Sequence, residues 1–213
     1  NQLKINYFTS LFLLVICFVY GQDTYNPKKL QAPEILIDGI IESNEWKGAQ
    51  KVILDYEVNP GNNIPPEEKT TAYILYSDTH LYVGIYAYAK PGEIRASVRS
   101  RDDFGMISDD FVLVRFDTYA DGRNNYLLLA NAFGSQLDAR AINALTDEDR
   151  YDISFNLEYD TMGTIVSDGY QVEFKIPFSS LPFPNGINQE WNFNITRQAF
   201  RNGIPIDIRS QPF

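Results

Sequence analysis

Five aspartates stand within one stretch, RSRDDFGMISDDFVLVRFDT from Arg99 to Thr118: Asp102, Asp103, Asp109, Asp110 and Asp117. Carboxylates this dense allow three kinds of chemistry. Two acids facing each other across a cleft can serve as general acid and base. Hard oxygens clustered on loops can hold calcium, which takes six to eight of them; Asp109, Asp110, Asp117 and Asp121 are the residues from which such a site would be drawn. Carboxylates on a loop rim can also hydrogen-bond a hydroxyl-rich ligand. Against the first, adjacent loop aspartates are ordinarily solvated, and among 28 acids such pairs arise by chance. Against a calcium loop of the common kind, DTYADGRNN (Asp117 to Asn125) lacks the alternating acids of D-x-D-x-D-G and reads as a polar hairpin turn.

Other catalytic chemistry has few residues to work with. His80 is the sole histidine, placed at an expected hairpin tip beside Asp78, and no serine lies in a G-x-S-x-G elbow. There is no P-loop, dinucleotide fingerprint or H-E-x-x-H. The reading is a chain without a catalytic site of its own. The aromatics, 14 Tyr and 14 Phe, are the other resource. Tyr82, Tyr86 and Tyr88 share one face of a strand, while Trp46 and Trp191 read as core plugs.

The elements that must position these groups are strands. GYQVEFKIPF, YDISFNLEY (Tyr151 to Tyr159) and WNFNITR each alternate apolar and polar residues, as half-exposed antiparallel strands do. AYILYSDTHLYVGIYAYA reads as a hairpin turning at Ser77 to His80, and FVLVRF as a strand from Phe111 to Phe116; both are apolar on two faces and so expected centrally. Asp38-Gly39, Asp121-Gly122, Asp168-Gly169 and Pro184-Asn185-Gly186 supply turns. Only Ser43 to Ala49 and Phe178 to Leu181 suggest helical turns. The expected fold is all-β, an antiparallel β-sandwich of two packed sheets.

Residues 1–21 carry one charge, Lys4, and then the apolar run LFLLVICFVY, too short to span a bilayer as a helix. They read as an export signal cleaved after Gly21, with 22–33 a mobile leader and 34–213 the sandwich of a longer protein. Cys17 is the only cysteine, so the mature chain would hold no disulfide. It would carry 17 basic against 28 acidic residues, a formal −11, a poor match for nucleic acid or anionic lipid.

ILIDGIIESNEWKGA (Ile35 to Ala49) resembles the opening of family 9 carbohydrate-binding modules, where an Ile-Asp-Gly turn precedes an acid and then a tryptophan. The Ala72–Ala89 hairpin, SDDFVLVRFDTYADGRNNYLLLANAFGSQLDA and DGYQVEFKIPFSSLPFP follow in that family's order, so the resemblance covers roughly Ala32 to Gly203. It is similar to a branch forming the N-terminal part of exported proteins of Bacteroidota-like bacteria, followed by an outer-membrane barrel. It implies a β-sandwich and glycan binding linked to polysaccharide breakdown. Asp109 and Asp110 match the acids that begin the sugar-facing strand; Met106 or Ile107 stands where members have a clamping tryptophan, and Leu113 where they have a further acid.

The expected ligand site therefore lies on the loops Phe104 to Asp110 and Ala132 to Gln136. Phe104 would serve as platform, and Arg101, Asp109, Asp110 and Gln136 as hydrogen-bonding groups. Calcium is the one cofactor these residues suggest. The alternative is a cap that packs on its own C-terminal barrel or a partner through an apolar patch at Phe104, Met106 and Ile107.

Overall fold

A computed structural model describes residues 23–30, 34–90, 92–146 and 149–212. The segment expected to be an export signal lies outside these residues.

The described chain forms thirteen strands in two sheets: β1 Lys28–Lys29, β2 Gln50–Ile53, β3 Tyr56–Asn59, β4 Thr70–Tyr76, β5 His80–Tyr88, β6 Phe111–Asp117, β7 Asn124–Asn131, β8 Gln136–Ile142, β9 Tyr151–Asp152, β10 Asp160–Val166, β11 Gly169–Pro177, β12 Asn192–Arg201 and β13 Ile204–Arg209. The first sheet runs β1-β4-β5-β11-β10, with β2 also on β4; the second runs β3-β13-β12-β6-β7-β8-β9. All pairings are antiparallel except β1 with β4. The β-sandwich is as expected, and the 3-10 turns Phe104–Ser108 and Phe178–Ser180 are its helical content. Ser43 to Ala49 is a run of hydrogen-bonded turns rather than a helix.

Alternation explains which residues meet. Val112, Val114 and Phe116 of β6 and Val83, Ile85 and Ala87 of β5 point between the sheets, where they form one core with Leu128, Val172, Phe174 and Ile195. The opposite face of β6-β7-β8 carries a second buried cluster of Phe111, Leu127, Leu129, Leu137, Ala139 and Ala141, closed at one end by Met106. Hence FVLVRF is apolar on both faces. β5 likewise has a second covered side, because Tyr82 packs with Ile35, Trp46 and Leu75.

The turn motif that opens the domain is the cover. Glu173 of β11 is fully buried; its Oε2 accepts from Asp38 N at 3.0 Å and Gly39 N at 2.8 Å, and its Oε1 from Trp46 Nε1 at 3.0 Å. Burial raises the Glu173 pKa, and these three donors pull against that rise. The Trp46 ring lies on Gly84, where a Cβ would come within 2.9 Å of the indole. Trp46 is thus a plug, as its sequence context suggested.

Two expectations need correction. Within the segment expected to be a mobile leader, Lys28–Lys29 pairs in parallel with Leu75 and Tyr76, and Tyr25 packs edge-on against Phe193 at 5.5 Å. YDISFNLEY is a strand only over Tyr151–Asp152. Farther on, side chains take its backbone: Asp138 accepts the Leu157 N–H at 2.6 Å and Arg101 donates to the Leu157 carbonyl at 2.5 Å, while Ile153 turns outward.

Candidate functional site

The two loops expected to hold ligand are joined by one buried carboxylate. Asp109, at the start of β6, is 2% exposed. It accepts from Arg99 Nε at 2.7 Å and Nη2 at 3.0 Å, from Asn131 Nδ2 at 3.0 Å and from Ser97 N at 3.3 Å. Burial works to raise its pKa, but these donors outweigh burial and hold the carboxyl below its ordinary value. Asn131 turns its other amide atom to Phe133 N and Ser135 N, at 3.0 and 3.1 Å, which shapes the 132–136 loop. Arg99 N donates to Ser135 Oγ at 2.9 Å, and Asp102 N to the Gln136 carbonyl at 2.9 Å.

A backbone approach fixes the second loop against the other sheet. A Cβ on Gly163 of β10 would lie 2.6 Å from Gly134 N and 2.7 Å from the Ala132 carbonyl, so only glycine fits. Gly134 itself has φ +76°, the left-handed region glycine adopts freely. Thr161 Oγ1 adds a bond to the Gly134 carbonyl at 2.7 Å.

On this frame the two loops present apolar side chains. Phe104 is 55% exposed, Ile107 45% and Phe133 40%. Asp103 caps the 3-10 turn by accepting from Gly105 N at 2.8 Å, which with Arg99 lowers its pKa. Gln198 Nε2 holds the turn's far end through the Ile107 carbonyl at 2.7 Å. Phe104 is therefore an exposed ring on a braced turn, while Met106 is buried among the leucines and absent from the exposed patch.

Arg101 and Gln136 are brought together, with Arg101 Nη1 donating to Gln136 Oε1 at 2.6 Å. Both are engaged within the fold. Arg101 Nη2 donates to the buried Asp138 at 2.5 Å and its guanidinium lies over Tyr159 at 5.3 Å; Gln136 Nε2 donates to the Tyr159 carbonyl. Asp110 is 2% exposed and points into the sandwich, with burial raising its pKa to about 6 despite Arg197.

The aspartates expected to share a metal do not gather. Asp109 and Asp110 precede β6 and Asp117 ends it, separated by about 23–26 Å at the ~3.3 Å rise of a strand. Asp117 accepts from Gly122 N at 2.8 Å and Asn192 Nδ2 at 3.2 Å, and Asp121 from Arg123 N at 2.9 Å, as turn carboxylates do. Among the described residues no three His, Cys, Asp or Glu side chains are placed to hold a metal ion.

Sequence reasoning missed Arg99 and Asn131, which join the loops. The signal available was a basic residue ten positions before a strand-opening aspartate, and a polar residue ending an otherwise apolar strand. The three tyrosines of β5 divide. Tyr82 is buried, whereas Tyr86 and Tyr88 stack at 4.3 Å, with the Tyr86 hydroxyl donating to Asp168 at 2.6 Å. Burial and that carboxylate push the Tyr86 phenol up to about 12.

No family model and no curated protein matches the chain in sequence. Solved structures do match in fold. A family 9 carbohydrate-binding module from Caldicellulosiruptor kristjanssonii in complex with glucose has a TM-score of 0.57 at 18% identity, covering 85% of this chain and 83% of its own. The cellotriose complex of a family 9 module from the same organism gives 0.56 at 18% identity, covering 86% and 82%. A candidate carbohydrate-binding protein from Bacteroides uniformis ATCC 8492 gives 0.62 at 12% identity, covering 88% of both chains. The chain thus has the β-sandwich fold of family 9 carbohydrate-binding modules.

Proposed function

We propose that this domain is a non-catalytic carbohydrate-binding module whose glycan lies against the 104–108 and 132–136 loops. The carrying observation is that the buried Asp109–Arg99–Asn131 network braces both loops while leaving Phe104 and Phe133 exposed on them. A braced ring loses little freedom when a sugar's C–H face settles on it. The neighbours solved with glucose and cellotriose support the ligand class. Residues 1–21 support export, and the sequence resemblance supports attachment to an outer-membrane barrel in a longer protein that acts in polysaccharide breakdown.

One observation favours the second reading, a cap packed on that barrel or another partner. Leu113 stands where sugar-binding members place an acid, and its face of the sheet carries a buried aliphatic cluster. The polar groups of Asp109, Arg101 and Gln136 are also engaged internally, leaving Phe104, Ile107 and Phe133 as the exposed apolar groups of the loops.

Thermal unfolding against mono- and oligosaccharides separates the readings. A ligand at a hundred times its dissociation constant adds about 2.7 kcal/mol. At roughly 2–4 °C per kcal/mol, that raises Tm by several degrees. The expected result is a rise with one saccharide class that disappears in Phe104→Ala. A flat panel with the unaltered domain would overturn glycan binding and leave the cap.

A further inference from the structure

Among the described residues, Asp110 Oδ1 just before β6, Tyr170 Oη on β11 and Arg197 Nε on β12 are buried polar atoms that lack a hydrogen-bond partner. All three residues are at most 2% exposed. They belong to one place, between the two sheets. The Arg197 guanidinium lies 5.6 Å from the Tyr170 ring centre, and Nη1 reaches across to Thr70 Oγ1 at 3.1 Å and the Tyr88 carbonyl at 2.8 Å. Burial and the Asp110 charge raise the Tyr170 phenol, while Arg197 lies close enough to pull it down through charge and polar contact, although no well-formed hydrogen bond joins the two. Asp110 in turn feels Arg197, Arg95 and Asp109.

An isolated buried polar atom loses its hydration without replacement, and natural proteins leave few such atoms. Here a carboxylate oxygen, a phenol and a guanidinium N–H are orphaned together. We propose that the Asp110–Tyr170–Arg197 cluster binds an internal water molecule bridging the two sheets. Arg197 Nε would donate to it, and the water would donate to Asp110 Oδ1 and exchange a bond with the Tyr170 hydroxyl. That gives it three partners, the usual number for a buried water. The paired charges of Asp110 and Arg197 favour a neutral guest over an ion.

A crystal structure of the described domain at a resolution that shows ordered solvent tests this directly. The expected result is one water within hydrogen-bonding distance of Asp110 Oδ1, Tyr170 Oη and Arg197 Nε. Direct Tyr170–Arg197, Asp110–Tyr170 or Asp110–Arg197 bonding with no water, or an ion at the position, would overturn it. Tyr170→Phe gives an independent reading. Removing one partner of a bound water should lower Tm by about 2–4 °C, whereas an unchanged or raised Tm would mean that the hydroxyl was dry and unpartnered.

Discussion

Asp110→Asn offers a measurement in which the structure sets both sign and size. In the folded chain the Asp110 carboxyl is pushed up to about 6, above its ordinary 3.8. Burial is the chief cause, and the side chain is 2% exposed, so solvent screens little of it. A folded-state pKa above the unfolded one means that the folded chain keeps this proton while the unfolded chain releases it. The associated stability is fully present below about 3.8, declines as pH rises, and is gone above about 6. At 1.36 kcal/mol per unit, the decline is about 3 kcal/mol for a dry carboxylate; the proposed water would solvate the anion and reduce it. Asparagine cannot titrate, so the variant lacks this component whatever its constant offset. Urea unfolding of both proteins at pH 4, 5, 6 and 7 should show the variant gaining on the parent by about 2–3 kcal/mol from pH 4 to 7. All other groups titrate alike in the two and cancel. A difference that stays constant across this range would refute the reasoning.

Its neighbour should behave oppositely. Asp109→Ala strips partners from the partly covered Arg99 and from buried Asn131, and should lower stability by about 3 kcal/mol at neutral pH. Because the Asp109 pKa is depressed, that deficit should shrink as pH falls below about 4, as paired urea curves would show. Gly84→Ala drives a methyl to within 2.9 Å of Trp46 and should cost about 1–3 kcal/mol, with altered tryptophan fluorescence. Lys29→Ala removes an exposed, solvent-screened ion pair with Asp78 and should leave Tm essentially unchanged in a thermal melt.

The sandwich was legible because its signal is local. Alternation in GYQVEFKIPF and the doubly apolar FVLVRF follow from which faces are covered, and the turns follow from Asp-Gly pairs. YDISFNLEY shows the limit of that logic. Its alternation is real, yet Leu157 bonds to Asp138 and Arg101, residues 19 and 56 positions away. The loops were likewise legible as a location, but not in their chemistry. Nothing near Asp109 in sequence distinguishes it from Asp110. One faces Arg99 and Asn131 and stays charged, while the other turns inward toward Arg197 and resists charging. That difference is made by tertiary neighbours alone.

Glu173 holds Asp38, Gly39 and Trp46 across sequence separations of 135, 134 and 127 residues. The buried carboxylate that satisfies the first turn of the domain therefore arrives only with β11, after β4 and β5 have supplied the apolar seat for Trp46. During synthesis the polar groups of the N-terminal turn must wait for that carboxylate while most of the chain follows them. Pairings this remote slow folding, toward the millisecond-to-second range of β-sandwiches. The turn that begins this domain is thus among the last parts of it to complete its hydrogen bonds.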